Sequence, residues 1–235
     1  LPQQHVIMGS RCTCKAKPII DKLGDHLISG CGKENCRKNT HDTVTLCVKD
    51  FANTAGIKAR LEEQHCFRGA DPDIGLKPDI SLWNVPGSRV KVVCDATITH
   101  TAPGTMGLRD IDISVTKALE SERAATASRK SKIDKYDNIS NLNSLEFQPL
   151  VFETTGRIEH HTLQFFHKII AHMAKDNEML RSNYPAYWVG RISFCLQKYM
   201  ALAIINRTTS INADMTVESN YDLSDRFIID NHFMH

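Results

Sequence analysis

Lys77-Pro78-Asp79-Ile80-Ser81-Leu82-Trp83, then Asn84-Val85-Pro86-Gly87-Ser88, then Arg89-Val90-Lys91-Val92-Val93-Cys94-Asp95-Ala96-Thr97-Ile98 is the stretch from which the fold can be read. The outer runs are apolar and β-branched, and the Pro-Gly between them is turn chemistry, so the spacing predicts a β-hairpin. Each run also carries an aspartate among apolar neighbours. Aspartate disfavours strand interiors, so both placements ask for a reason. On adjacent strands Asp79 and Asp95 would repel unless a divalent cation lay between them, and hard carboxylate oxygens suit Mg²⁺ or Mn²⁺. The bland alternative ends a turn at Asp79, after Pro78, and leaves Asp95 as a solvated edge residue.

Upstream of the hairpin, Ile57 to Glu63 alternates apolar and charged residues and is expected to be a first strand. Before it, Val44, Cys47, Val48 and Phe51 form a helical stripe within Thr40 to Thr54, and Gly56 is a stop signal. Phe67 to Gly75 reads as a turn-rich connection, and Trp83 as a packing residue. Downstream, Pro103, Gly104 and Gly107 mark His100 to Asp112 as a loop. A helix is expected from about Ser114 to Tyr136, rich in alanine and long side chains. On it Lys132 and Tyr136 are i, i+4 and Lys132 and Lys135 are i, i+3, so the three can share one face; the bland reading is a solvated basic face. Phe147 to Gly156, nearly continuous in apolar residues at its centre, is expected to be a strand buried inside the sheet. Two helices should follow, Ile158 to about Lys175 and Pro185 to about Ile205. His160, His161, His167 and His172 point in different directions on the first of these and pair with no cysteine, so they are not read as ligands. The segment after Arg207 is polar and is expected to be an extended or loosely packed tail.

Cysteine is concentrated near the start of the chain. Cys12, Cys14, His26 and Cys31 form a C-x-C…H-x4-C arrangement able to close a tetrahedral Zn²⁺ site, soft thiolates and one imidazole being suitable ligands. Cys36 or His41 could replace one member. A segment so poor in large apolar residues has little else to fold around, which favours metal over reduced thiols.

The 235 residues are 41% hydrophobic, enough for a sizeable core. No run of about 18 apolar residues occurs, and Leu1-Pro2-Gln3-Gln4-His5 lacks the regions of a signal peptide, so the expectation is a soluble intracellular chain without a membrane partner. A leucine rather than a methionine at position 1 suggests a piece of a longer polypeptide. The net charge of +2 excludes little, but its distribution is uneven. Residues 117–135 are strongly basic through Lys117, Arg123, Arg129, Lys130, Lys132 and Lys135, and 211–235 is acidic.

The order helix, three strands, helix, strand is an α/β core with a mixed sheet whose second and third strands deliver two aspartates. In that order, Lys77-Pro78-Asp79-Ile80, Val92-Val93-Cys94-Asp95-Ala96-Thr97 and Lys132-Ile133-Asp134-Lys135-Tyr136 resemble the restriction-like (PD-(D/E)XK) endonuclease domain of site-specific non-LTR retrotransposon proteins. That family has a cysteine-histidine zinc knuckle just upstream, as Cys12, Cys14, His26 and Cys31 stand here. The likeness covers roughly residues 10–155. It implies a zinc knuckle and lead-in over 1–38, a restriction-endonuclease-like αβββαβ domain over 39–205, and an acidic polar tail over 206–235. One departure stands out: the nuclease signature places lysine two residues after the second acid, where this chain has Thr97. The retrotransposon family also lacks that lysine and supplies it from the following helix, which maps to Lys132, with Lys135 as second basic residue.

The resemblance implies a DNA endonuclease. Asp79 and Asp95, with the main-chain carbonyl of Ala96 or Thr97, would hold Mg²⁺ or Mn²⁺ to polarise the scissile phosphate and lower the pKa of an attacking water. Lys132 would orient the nucleophile or stabilise the transition state, Lys135 and Tyr136 would position the backbone, and Glu62 or Glu63 could add a ligand. Double-stranded DNA is the implied partner, gripped partly by the knuckle through phosphates. A reverse transcriptase domain of the same polyprotein and element RNA are further implied partners, in the nucleus. The competing reading is a zinc-containing nucleic-acid-binding module that keeps the fold without the chemistry. A third is a purely structural zinc-stabilised domain.

Overall fold

A computed structural model of the chain describes residues 11–12, 14, 19–20, 26–30, 36–67, 76–100, 122–175 and 178–212. Among these, four strands form one sheet in the order β1-β2-β3-β4: β1 Lys58–Leu61, β2 Ile80–Trp83, β3 Val92–Thr99 and β4 Glu146–Glu153. Four α-helices flank it: α1 Cys36–Thr54, α2 Arg123–Leu142, α3 His160–Met173 and α4 Glu178–Asn212. A π-helical turn, His26–Gly30, precedes them. The chain is therefore an α/β protein with a mixed sheet. β1 and β2 pair antiparallel, as do β2 and β3, while β3 and β4 run parallel across the α2 crossover. Among the described residues no helix is long and apolar enough to cross a membrane.

Two apolar layers hold the sheet. On one face Val44, Val48 and Phe51 of α1, Phe166 and Ile170 of α3, and Trp188, Ile192 and Leu196 of α4 close over Ile80, Leu82, Cys94 and Phe152. Phe51 is the hinge of this layer, its ring centroid 5.3 Å from both Phe166 and Trp188. A fully buried phenylalanine of this kind is worth about 3–5 kcal/mol against alanine. The other face is smaller: Tyr136 of α2 stacks on Phe147 with centroids 4.9 Å apart, beside Phe67, Cys66 and Val93. Strand alternation explains the split, since Cys94 and Ala96 face the larger layer and Val93 and Asp95 the smaller one.

The predicted hairpin is present, with Ile80 opposite Cys94 and Leu82 opposite Val92. Its connection carries left-handed backbone at Asn84 (φ 64°) and Gly87 (φ 77°), which is what the Pro-Gly stretch supplies. Lys168 of α3 lies over Gly87, 3.1 Å from where a Cβ would sit. The strands are shorter than the apolar runs. β2 starts only at Ile80, because Pro78 has no N–H for a ladder and Asp79 turns its carboxylate onto the neighbouring strand.

Several boundaries differ from expectation. α1 begins at Cys36 rather than Thr40, so the expected division at 38/39 falls inside this helix. β1 stops at Leu61 because Glu62 adopts φ 46°. α2 continues past Tyr136 to Leu142, Ser140 being fully buried one turn further on, and the start expected near Ser114 lies outside the described residues. β4 ends at Glu153, where Thr154 to Gly156 (φ 92°) turns the chain. Among the described residues it is also the terminal strand of the sheet rather than an inner one, which is how Pro149 is accommodated without an N–H to donate. Its faces are buried all the same, and Ile158 bridges Phe152. α3 begins at His160, capped by the Glu159 carboxylate accepting from the Thr162 N–H at 3.0 Å. α4 is the largest departure. Pro185 marks a helix start by rule, yet the helix runs from Glu178 through Pro185 and on to Asn212, so the beginning of the expected tail is helical. Residues 213–235 lie outside the described residues.

Candidate functional site

The hairpin register places Asp79, one residue before β2, next to Asp95 in β3. The Ala96 N–H donates to Asp79 Oδ2 at 2.6 Å, locking the first carboxylate onto the second strand. Asp95 is 5% exposed and sits in an inner strand, so it is not a solvated edge residue. A charge withdrawn this far is costly unless paired, and two groups of α2 meet it. Lys132 Nζ forms an ion pair with Asp95 Oδ2, and the Tyr136 phenol lies near enough to the same carboxylate to feel its charge. Burial first, and then the negative charge of Asp95, pushes the Tyr136 phenol well above its ordinary value, so it remains a protonated donor.

The i, i+4 spacing of Lys132 and Tyr136 thus brings both onto one acid. Lys135 does not join them: it is exposed, with its Nζ 4.8 Å from the Tyr136 ring centroid. Thr97 lies on β3 opposite Val151. The carboxylates of Glu62 and Glu63 are paired with other groups, Glu62 with Lys77 at 2.7 Å and Glu63 with Lys91 at 2.8 Å, although the Glu62 backbone N–H donates to the Asp79 carbonyl at 3.0 Å.

One residue at this site is not assigned to it by sequence. His41, in the second turn of α1, places Nε2 3.1 Å from Asp79 Oδ2 and Nδ1 3.1 Å from Asp42 Oδ1. The hydrogen bond to Asp79, opposed by partial burial and helped by both negative charges, raises its pKa from 6.5 to about 9. The available signal was the His41-Asp42 dyad at a helix start, but its closeness in sequence to the cysteines suggested a substitute zinc ligand. The ring is turned to the hairpin instead.

The N-terminal group is separate. Cys12, Cys14 and His26 have ligand atoms all within 4.8 Å of one another, the sole set of three such residues among those described. His41, Asp79 and Asp95 do not meet that criterion, Asp95 being drawn to α2. Cys14 Sγ lies 3.5 Å from His26 Nε2. With Zn–S of about 2.3 Å and Zn–N of about 2.0 Å, tetrahedral geometry puts two such ligand atoms roughly 3.5 Å apart, so the group could hold a metal ion such as zinc. Cys12 and Cys14 are buried with Ile20 and Leu27, and Ile204 of α4 packs against them. Cys31, the expected fourth ligand, lies outside the described residues. The chain matches no protein-family model and no curated protein.

Proposed function

We propose that the chain is a divalent-metal-dependent DNA endonuclease with a restriction-endonuclease-like αβββαβ core, of the kind found in site-specific non-LTR retrotransposon proteins. The observation that carries this reading is the convergence on Asp95. A buried acid on an inner strand, a second acid bonded to the next residue of that strand, and a lysine and a tyrosine from the crossover helix form one cluster.

The donor set fits a hard cation: two carboxylates on neighbouring segments, joined by the main-chain carbonyl of Ala96 or Thr97. When bound there, Mg²⁺ or Mn²⁺ supplies Lewis-acid polarisation of a phosphate and an attacking water of lowered pKa. The chain's own groups do the rest. The Ala96 N–H orients Asp79, Tyr136 lies beside Asp95, and Lys132 brings a positive charge to the place where negative charge develops on the phosphoryl oxygens. Lys135, exposed on the same helix, is suited to contacting the DNA backbone. In such a protein the domain would act on double-stranded nuclear DNA beside a reverse transcriptase domain of the same polyprotein and element RNA. Cys12, Cys14, His26 and Cys31 would hold about one structural zinc per chain, measurable by metal analysis.

The test is cleavage of supercoiled plasmid with Mg²⁺, Mn²⁺ or EDTA. Metal-dependent cutting that is lost in Asp79→Asn and Asp95→Asn, with DNA binding retained, is the expected result. DNA binding without cutting in either metal would replace this reading with the non-catalytic binding module.

A further inference from the structure

We propose that the outer face of α4 is a track for single-stranded DNA, on which exposed rings stack with unpaired bases and cations meet the phosphates between them. The inference is independent of the metal-dependent reading, since α4 carries none of the residues assigned to that site.

The helix sequence sets the pattern. Tyr187, Arg191, Phe194, Lys198, Ala201 and Ile205 are spaced alternately four and three residues apart, so they fall in one narrow stripe along α4. The opposite side sends Trp188, Ile192, Leu196 and Met200 into the larger apolar layer, which turns the stripe outward. Tyr187 is 53% exposed, Phe194 62% and Ile205 43%. Exposed apolar residues scattered singly are ordinary, whereas three aligned with two cations on one face point to a partner. From Asn183 to Asn206 the chain has no aspartate or glutamate, so the helix itself supplies no negative charge along this face.

Part of the stripe is also braced. Arg191 Nη1 donates to the Tyr187 hydroxyl at 2.8 Å, and its guanidinium lies 5.2 Å from the Trp188 ring centroid. The Tyr187 ring stands edge-on to Trp188, with centroids 5.3 Å apart and planes at 82°, and Trp188 packs on Phe51 in the core. Tyr187 is therefore a ring held from beneath while half in solvent, and little freedom remains for it to lose on stacking with a base.

The charge pattern selects the occupant. A two-fold pairing of this stripe with a second copy would bring Arg191 and Lys198 of both chains into one seam without an acid between them. A lipid surface suits a helix with a broad apolar face flanked by cations, but here rings and cations share one line and the broad apolar face is buried. Alternating rings and cations match a polyanion whose bases are open to stacking. Paired bases hide their faces inside a duplex, so the strand must be unpaired. The alkyl groups of Ala201 and Ile205 suit a thymine methyl better than a ribose 2′-hydroxyl, which favours DNA over RNA.

The experiment follows the full chain by fluorescence anisotropy with a labelled oligothymidylate of about 16 nucleotides, its self-complementary-partner duplex and an oligouridylate of equal length, without added Mg²⁺ or Mn²⁺ so that no strand is cut. Wild type should bind oligothymidylate, and more tightly than oligouridylate. Phe194→Ala, at an exposed position, should keep its circular dichroism and lose at least ~5-fold in affinity for oligothymidylate, the lower limit for one stacked base, while duplex affinity stays unchanged. Lys198→Gln should flatten the salt dependence of single-strand binding by about 0.7 in logarithmic slope, one phosphate contact. No binding of oligothymidylate by wild type, or wild-type affinity in both variants, would overturn the track. An equal loss of duplex binding in Phe194→Ala would overturn its single-strand character, and tighter binding of oligouridylate its assignment to DNA. A wild-type dimer in sedimentation that Phe194→Ala dissociates would give the face to a second copy instead.

Discussion

Glu63 and Asp95 both lie beside the smaller apolar layer, and each has a lysine on it, but the two pairs are assembled from different parts of the chain. Glu63 Oε2 accepts from Lys91 Nζ at 2.8 Å and from the Cys66 thiol at 2.9 Å, while Lys91 also reaches Cys66 Sγ at 3.3 Å. Every member comes from β1, the hairpin or the loop between them, and one negative charge meets one positive charge. Burial works to raise the Glu63 pKa, yet hydrogen bonds from Cys66, Lys91 and Ser81 overcome it and bring the carboxyl down to about 2. Around Asp95 the charges come from three directions: Asp79 at the start of β2, Lys132 on α2 and, across Asp79, His41 on α1. A closed local pair is what a fold uses to seal an edge. Two acids held together by cations from separate helices is an arrangement that only tertiary packing can make, and it leaves two carboxylates side by side.

If that contrast separates chemistry from scaffolding, Asp95→Asn and Glu63→Gln should part company by the widest margin. Asp95→Asn should lower plasmid cleavage by ~10³-fold or more, the scale of a missing active-site electrostatic group or beyond, with the fold intact by circular dichroism. Glu63→Gln should cut within about twofold of wild type under conditions where it is folded, because its carboxylate is held by Lys91 and Cys66 rather than by the aspartates; its cost belongs to stability. Equal losses in the two variants would erase the distinction.

The two lysines give a smaller and sharper comparison. Lys132→Ala should slow cleavage by ~10²-fold, the usual cost of one transition-state contact, with little change in affinity for DNA. Removing a partner of a buried acid also destabilises, by about 3–5 kcal/mol in the extreme, so urea midpoints must be measured alongside. Lys135→Ala, exposed and away from both acids, should reduce the rate only a few-fold and mainly shift the salt dependence of binding. A dead Lys135→Ala beside an active Lys132→Ala would reverse the roles of the two residues.

The same contrast decides what could be read beforehand. The hairpin is legible because alternation and Pro-Gly turn chemistry are local, and Asp79 and Asp95 are visible as acids in apolar runs. Lys132 and Tyr136 are legible as an i, i+4 pair, but the residue they share is fixed only once α2 lies on β3. Lys135, equally close in sequence, falls off that face, a distinction of one helical position that composition does not carry. His41 illustrates the limit. Its ring turns to Asp79, 38 residues on, rather than to the nearby cysteines, and that choice is made by the packing of Val44, Val48 and Phe51. Pro185 fails for a related reason: local rules start a helix there, whereas the apolar stripe of Trp188, Ile192 and Leu196 belongs to a longer helix that absorbs the proline.

The smallest expected effect tests the scaffolding pair by acid. The Glu63 carboxyl has an ordinary value of 4.5 and a folded value of about 2, so it is depressed. A depressed acid stabilises the fold above its unfolded pKa, and that contribution is lost as pH falls toward the folded pKa. With a side chain 17% exposed, the shift corresponds to no more than about 3 kcal/mol at neutral pH. The stability gap between wild type and Glu63→Gln, from urea midpoints, should be constant between pH 7 and pH 5. It should then fall to roughly half by pH 3, midway through the window between the two values. Lys91 stays charged throughout, since its own pKa is raised: burial lowers it, but Glu63 and Cys66 more than compensate. The change is therefore the protonation of Glu63 alone. A gap that stays flat down to pH 3 would mean that Lys91 and Cys66 do not hold this carboxylate in solution, and that the closed pair is looser than its distances imply.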